Sequence, residues 1–459
     1  MADRAQTDTK RMEKIVSLCK RRGFIFQSGE IYGGLNGCWD YGPLGAELKK
    51  NLKDYWWKVT VRDRDDILGM DGSILTHQDV LKASGHVGGF SDPMVDCKTC
   101  KARFRADNLA GMQCRQKPSK APGEAEMCEL TEPREFNLMF QTHMGASADA
   151  DSIAYLRPET AQTIFTQFKN VSDSNRVKLP FGIAQIGKAF RNEINPRNFT
   201  FRSREFEQME VEYFCRPEDG MRLTDEWLES RLKFYEAIGI PREKLHVLDV
   251  PDGERAHYSK KTYDIEYEFP FGIQELEGVA YRTDYDLGKH QEKSGKPMEY
   301  FDDQTKEKFI PHVVEPSAGA DRTVLALLCE AYDEEELTDE KGKADTRIVL
   351  RFVPRMAPIK VGIFPLLKNK SELVAKAREV QVLLRDHMTV FYDEAGAVGR
   401  RYRRQDEAGT PFCVTIDFDT IGENGPEKEG FVTVRERDSM AQERVKIGDL
   451  LGYLLPKVV

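Results

Sequence analysis

The residues best suited to chemistry crowd around position 200. Phe190-Arg191-Asn192-Glu193 is followed by a loop, Ile194 to Phe201, and then by Arg202-Ser203-Arg204-Glu205-Phe206. Apolar runs flank the set, Phe181 to Phe190 before and Phe206 to Phe214 after, which predicts an antiparallel hairpin. Strand side chains alternate, so Arg191 and Glu193 are expected on one face, and Arg202, Arg204, Phe206, Gln208, Glu210 and Glu212 share a parity. Such a face offers cations to phosphate, a ring to a base and carboxylates to an amine. An isolated Arg/Glu pair on a hairpin is usually a solvated ion pair, but the whole constellation is too specific for that.

A second constellation is Glu315-Pro316-Ser317-Ala318-Gly319-Ala320-Asp321-Arg322. It reads as a short polar strand ending in a glycine, with an apolar helix after it. Gly319 lets a ligand approach the backbone, and Arg322 falls in the first helical turn, where a phosphate is favoured. Leu156-Arg157-Pro158-Glu159-Thr160 puts a carboxylate just before another helix, as a ligand group or an ordinary helix-start glutamate. Glu275-Leu276-Glu277 is expected to place two acids on one strand face, to hold magnesium with phosphate oxygens or to sit as surface charges. Gly182-Ile183-Ala184-Gln185-Ile186-Gly187-Lys188 spells a phosphate-loop pattern, but Ala189 stands where Ser or Thr is needed and the run reads as strand.

Cys97-x2-Cys100 has knuckle spacing, and Cys114 and Cys128 follow with thirteen residues between them. Two readings stay open: a structural zinc site on these four, or free thiols in a loop. Residues 94–150 form an irregular insertion, and 214–310 contains a second one. Leu44 to Trp57 repeats apolar residues at helical spacing behind Pro43. The polar stretch Asp333 to Asp345 is the expected linker. Beyond it, strands at 361–367, 389–392, 412–418 and 431–434 alternate with helices at 371–387, 399–408 and 447–455. That pattern suggests a separate α/β domain. Its densest charge is Arg400-Arg401-Tyr402-Arg403-Arg404.

Net charge is -9 over 459 residues, which disfavours a nucleic-acid partner except through a local basic patch. The start of the chain, Met1 to Lys14, lacks the apolar run of a signal peptide, and no segment has the length of a membrane span. Nine cysteines, an odd number, fit a reducing compartment, and a cytoplasmic protein is expected.

Taken in order, the 190–206 set resembles motif 2 of class II aminoacyl-tRNA synthetases, and 315–322 resembles motif 3. Leu44–Trp57 and the run through Val61 map to the dimer-forming motif 1. Ser84-Gly85-His86, Tyr155 to Gln162, Gln185 to Ile194, Arg204 to Glu210 and Glu315-Pro316-Ser317 look like the dimeric type of glycyl-tRNA synthetase. The 399–411 segment looks like the anticodon-binding domain shared with the threonyl, prolyl and histidyl enzymes. The resemblance covers nearly the whole chain. It implies an α+β catalytic domain on an antiparallel sheet over residues 1–345, and an α/β anticodon-binding domain over 346–459.

That likeness also implies a division of labour. Arg191, Glu193 and Arg322 would be catalytic. Glycine would meet Arg105, Glu159, Phe206, Glu207, Gln208, Met209, Glu210, Glu315, Pro316, Ser317, Ala318 and Gly319. ATP would meet Arg191, Asn192, Glu193, Phe201, Arg202, Ser203, Arg204, Glu205, Phe206, Leu276, Glu277, Gly319, Ala320, Asp321 and Arg322, with Glu277 on magnesium. Arg400, Arg401, Arg403 and Arg404 would meet tRNA(Gly). The expected partners are glycine, ATP, tRNA(Gly) and a second copy of the chain, with no membrane. The alternatives are a sister synthetase for Thr, Pro or Ser, and an inactive nucleic-acid-binding paralogue.

Overall fold

The computed structural model describes residues 2–146, 149, 152–338 and 344–459, with side chains described from residue 10 onward except at 111. A seven-stranded sheet organises the first three quarters of the chain. Its spatial order is Leu245–Asp249, Lys261–Phe269, Gly272–Thr283, His312–Gly319, Glu205–Cys215, Phe181–Phe190, Ile67–Gly69. Every pair is antiparallel except the last, where Gly182 faces Ile67 in parallel.

Alternation then sorts the side chains. Met209, Val211 and Tyr213 face a large core shared with Leu48, Leu52 and Trp56 of the helix Pro43–Trp57 and with Val324, Leu325 and Leu328 of the helix Ala320–Ala331. Phe206, Gln208, Glu210 and Glu212 face the other way. That second face is closed at one end by the helix Ala161–Asn175, whose Phe165 and Phe168 pack with Phe181 and Phe214. The first helical core seals one side of the sheet and leaves the other for a cleft.

Gly182 and Gly187 both lie within the strand Phe181–Phe190, as the failed phosphate-loop pattern requires. A Cβ on Gly187 would sit 2.1 Å from Nη2 of Arg157. The glycine is there to admit that guanidinium, which donates to the carbonyls of Lys188 at 2.6 Å and Gly72 at 2.8 Å.

The insertion is more ordered than its sequence suggests. Ser91–Asp96 pairs with Arg103–Arg105 and with Arg134–Asn137 in a small antiparallel sheet. Residues 147, 148, 150 and 151 at its far end lie outside the described residues. The expected linker is a paired hairpin instead. Tyr332–Thr338 runs antiparallel to Ala344–Leu350, and residues 339–343 lie outside the described residues. Arg347, with no exposed surface, donates to Asp406 at 2.8 Å and to Glu335 at 2.7 Å, which ties the hairpin to the C-terminal region. Cross-strand pairing and one buried arginine outweigh the acidic composition.

The C-terminal region is a five-stranded mixed sheet, ordered Val390–Tyr392, Val361–Pro365, Phe412–Ile416, Phe431–Glu436, Gln442–Lys446. The helices Ser371–Arg385 and Leu450–Val458 share its core through Leu373, Ala377, Val380, Leu450 and Leu454. The edge strand Gln442–Lys446 was not legible in sequence, because its residues are charged and largely exposed. Among the described residues, no helix is long and apolar enough to cross a membrane.

Candidate active site

The free face of the large sheet forms a cleft of about 380 Å³. One end of it is anionic. Glu210 and Glu315 line it and Glu212 is buried behind them, with carboxylate oxygens of the three within 4.8 Å of one another. Register explains the convergence: Glu210 pairs with Ser317 across neighbouring strands, and Glu315 pairs with Ala280 on the next.

Each acid is held differently. Ser317 Oγ donates to Glu210 Oε1 at 2.7 Å, and the Thr160 hydroxyl donates to Oε2. Gln162 Nε2 donates to Glu159 at 3.0 Å, and His86 Nε2 lies 3.4 Å from it. Arg282 Nη1 donates to Glu315 at 2.8 Å, while its Nε and Nη2 clamp Asp286 at 2.8 and 2.9 Å. Among the described residues, Glu212 has no hydrogen-bond partner at either oxygen.

Titration follows from these surroundings. Burial raises Glu212 well above the ordinary carboxylate range, with the Glu315 charge adding to it and Arg282 opposing. Burial also lifts Glu315 to about 8. Glu210 and Glu159 push the same way, against Arg282. Glu210 is raised by burial and by Glu159. At Glu159, burial is overcome by His86, Arg282 and Gln162, so that carboxyl sits well below the ordinary range. This end of the cleft is short of cations and suits an ammonium group.

The other end is cationic. Arg191 donates from Nε to the Pro158 carbonyl at 3.1 Å and lies 5.5 Å over the Phe206 ring. Arg202 faces Glu193 at 3.8 Å. Arg322 lies 4.6 Å over the Phe201 ring and 3.4 Å from Glu275. Ser203, Gln208, Leu276 and Gly319 complete the wall among the expected residues. Asp264 sits beside Glu275, and its carboxyl is raised to about 6 by burial and then by Glu275 and Glu266.

Several expected residues are elsewhere, or reach the cleft by a route other than strand alternation. Arg191, Glu193, Arg202 and Arg204 follow or precede the paired strands, so strand parity does not govern them. Arg204 donates to the carbonyls of Glu193 and Asn36, and Asn192 N–H to that of Leu138. Both brace the loop. Glu205 and Glu207 face the opposite side of the sheet, paired with Lys188 and with Lys49 and Lys53. Met209 and Ala318 are in the core on that side, Pro316 shares their parity, and Ala320 is buried in its helix. Asp321 reaches the wall but is committed to Lys49 and Tyr41, at 2.8 and 2.6 Å. Arg105 stands outside the cleft wall, paired with Asp92 at 2.9 Å and Asp107 at 2.7 Å.

Glu277 does not share a face with Glu275. A register shift opposite Ile265 and Glu266 turns it to the far side, where Arg231 Nε donates to it at 2.6 Å and it is 1 % exposed. Arg401 is also no surface group. It is 2 % exposed and donates to the carbonyls of Pro365, Glu394 and Gly396.

The four insertion cysteines share one small core with Val95, Ala102, Phe104 and Ala125, but among the described residues no three of their sulfurs lie within 4.8 Å of one another. The Cys128 and Cys97 sulfurs are 3.7 Å apart. That is about the edge of a tetrahedron with ~2.3 Å zinc–sulfur bonds. Cys100 N–H donates to Cys97 Sγ at 3.4 Å and Gly123 N–H to Cys128 Sγ at 3.3 Å. Those at Cys100 and Thr99 bring Cys97 down to about 7, whereas burial lifts Cys128 to about 11. The spacing hid the second pair because the loop between Cys114 and Cys128 folds back.

Arg282, His86, Gln162 and Asp264 were not singled out in sequence as site residues. Arg282 had a signal: a lone arginine in the apolar run Val279-Ala280-Tyr281.

Comparison with known proteins gives two family matches. Residues 144–332 match the tRNA synthetase class II core domain (G, H, P, S and T), and residues 360–457 match the anticodon binding domain. The chain is 50 % identical to the glycine–tRNA ligase of Thermobifida fusca, over 97 % of this chain and 98 % of that one. It is 52 % identical to the glycine–tRNA ligase of Treponema denticola, over 97 % of each chain, and 52 % identical to that of Borreliella burgdorferi, over 98 % of each.

Proposed function

The chain belongs to the glycine–tRNA ligase family, and on that footing we propose how its cleft divides the work. The enzyme joins glycine to ATP, releasing pyrophosphate, and passes the glycyl group to tRNA. The observation that carries the assignment of sites is one continuous cleft with an acid-lined closed end and an arginine-lined open end.

Glycine offers only an ammonium and a carboxylate. The ammonium lies among Glu159, Glu210, Glu315 and Ser317, and Arg282 keeps those acids compatible with one another. Arg191 takes the glycine carboxylate and the α-phosphate, Phe206 stacks on the adenine and Glu193 meets its amino group. Arg202 and Arg322 hold the outer phosphates. The glycine carboxylate attacks the α-phosphorus in line, and the bond to pyrophosphate breaks. No side chain acts as a nucleophile, so positioning and charge stabilisation supply the catalysis. Magnesium enters with ATP and screens the phosphate charge. Glu275 and Asp264, both on the cleft wall, would hold it, in place of Glu277.

The same proposal gives residues 1–345 to catalysis and 346–459 to the tRNA, which meets Arg400, Arg403 and Arg404. It places the reaction in the cytoplasm and includes a homodimer. Ile31 and Tyr32, 87 % and 90 % exposed beside Leu35, support a partner copy near the sheet pairing Ile25–Gln27 with Trp39–Tyr41. One structural zinc ion on Cys97, Cys100, Cys114 and Cys128 is also part of it.

ATP–pyrophosphate exchange with each standard amino acid in turn tests the reading. Exchange with glycine alone is expected. Exchange with threonine, proline or serine would overturn the pocket assignment, and none at all would leave a binding-only paralogue.

A further inference from the structure

Ser84, Gly85 and His86 form a turn behind the closed end of the cleft. Gly85 has φ 84°, in the left-handed region, and this bend returns the His86 ring onto Ser84. Ser84 Oγ lies 2.7 Å from His86 Nδ1, and His86 Nε2 lies 3.4 Å from Glu159 Oε2. The other oxygen of Glu159, Oε1, accepts from Gln162 Nε2 at 3.0 Å. The acid is therefore met by one nitrogen at each oxygen. The cleft wall includes Glu159 but not His86, so the ring acts on the acid and not on a ligand.

The proton on His86 follows from what it faces. An ionised carboxylate only accepts hydrogen bonds, so the ring nitrogen beside it must carry a proton. With the Ser84 hydroxyl turned to Nδ1, the neutral ring keeps its single proton on Nε2. Turned to the Leu81 carbonyl, 3.3 Å away, the hydroxyl would instead accept from Nδ1, and only an imidazolium would still present a proton to Glu159. Burial works against the charge of Glu159, and His86 leads the groups that oppose burial, ahead of Arg282 and Gln162. The two side chains are only 13 and 14 % exposed, so water competes little for the contact. A charge-assisted bond closes to about 2.7–2.9 Å, and such bonds tighten when a site fills.

We propose that His86 is a positioning residue for glycine: it donates Nε2–H to Glu159, fixes the orientation of that carboxylate, and so sets the affinity for the ammonium group. The inference rests on the assignment of Glu159 to the ammonium given above. The ammonium is not a reacting group and is held alike before and during the reaction, so the loss of this donor is read in KM for glycine and not in kcat. The same segment supplies an internal control. Phe90 N–H donates to the His86 carbonyl at 3.1 Å, and the Phe90 ring lies 5.3 Å from the Arg191 guanidinium. Arg191 meets both substrates, so a displaced segment raises both KM values, whereas a lost donor to Glu159 raises that for glycine alone.

The test is ATP–pyrophosphate exchange on the full-length enzyme with Glu159→Gln, His86→Leu and His86→Gln, each checked for folding by thermal melt. Leucine keeps an apolar side chain against Phe90 and removes the donor, while glutamine can return an N–H to Glu159. Glu159→Gln and His86→Leu should each raise the KM for glycine by roughly ten- to a hundredfold, with kcat and the KM for ATP unchanged, and His86→Gln should recover most of the loss. Histidine-selective nitrogen NMR, with the His86 signal assigned by its absence in the variants, should show a protonated Nε2. Both KM values raised together, equal losses in His86→Leu and His86→Gln, or a bare Nε2 would each overturn the positioning role. A raised KM for glycine in Glu159→Gln beside an unmoved one in His86→Leu would overturn it and leave the ammonium pocket standing. An unmoved KM for glycine in Glu159→Gln would overturn both.

Discussion

Arg282 Nη1 donates to Glu315 Oε1 at 2.8 Å, and the same guanidinium clamps Asp286 through its other two nitrogens. One buried cation thus serves a closed end in which Glu159, Glu210, Glu212 and Glu315 crowd together. A buried charge pair is costly to break from one side, since the remaining partner keeps its desolvation penalty.

Arg282→Ala is accordingly expected to lose glycine-dependent exchange by at least about a hundredfold and to lower stability by about 3–5 kcal/mol. Arg282→Lys keeps one charge but not the fork that reaches Asp286 and Glu315 together, so it should recover stability more than activity. Exchange kinetics and thermal melts on both variants check this. Near-wild-type glycine dependence in either one would remove Arg282 from the substrate site.

Glu315 makes the glycine affinity depend on pH. Burial raises its carboxyl from 4.5 to about 8 in the empty site, with Glu210 and Glu159 adding and Arg282 opposing. An ammonium binds the ionised form, so below about 8 a proton must leave first. The KM for glycine should fall as pH rises toward about 8, by up to about tenfold per unit, and then level off. The KM for ATP should not follow it. The same raised value means the empty folded state holds a proton that the unfolded chain has lost, so this group's contribution to stability falls as pH climbs from 4.5 to about 8. Glycine should relieve that loss. A glycine KM flat from pH 6.5 to 8.5 would show that Glu315 is ionised throughout.

The sequence carried the hairpin, both arginine motifs and the C-terminal helices, because each rests on local spacing. Phe206, Gln208 and Glu210 keep strand alternation and face the cleft as it predicts. The reading fails where alternation is broken or absent. Glu277 is misplaced by a register shift, and Glu207 belongs to the odd face that meets Lys49 and Lys53. Arg282 is largely a matter of tertiary contact: only Asp286 is near it in sequence, and nothing there says that Glu315 and Glu159 will join it. The shared core of the four cysteines was only half legible, since Cys114 and Cys128 are brought into it by turns and not by spacing.

Glu275 and Glu277 give a direct contrast. Glu277 is locked to Arg231 at 2.6 Å beneath the sheet, so Glu277→Gln should cost about 3 kcal/mol of stability and leave the magnesium dependence of exchange unchanged. Glu275→Ala should do the reverse. It faces Arg322 in the cleft, and its loss should raise the magnesium concentration needed for half-maximal exchange several-fold while barely moving the melting temperature. Magnesium titrations at fixed ATP check the pair. A shifted magnesium dependence in Glu277→Gln would restore the assignment read from sequence.

The basic run 400–404 divides in the same way. Arg401 is spent on the carbonyls of Pro365, Glu394 and Gly396, and replacing it leaves three buried acceptors without that donor. Arg401→Ala should therefore destabilise the C-terminal domain by about 3 kcal/mol. Any fall in charging should then track the unfolded fraction. Arg400 is exposed, Arg403 reaches Asp345 at 2.6 Å, and Arg404 pairs with Asp393 at 3.0 Å through Nε, each with part of its guanidinium at the surface. Arg400→Ala combined with Arg403→Ala should raise the KM for tRNA about tenfold at low salt, with the difference from the wild type shrinking as salt rises, and leave glycine-dependent pyrophosphate exchange at the wild-type rate. Aminoacylation and exchange measured on the same preparation separate the two effects. Equal loss of both steps in the double variant would make this helix structural throughout and move the tRNA contact to another face of the domain.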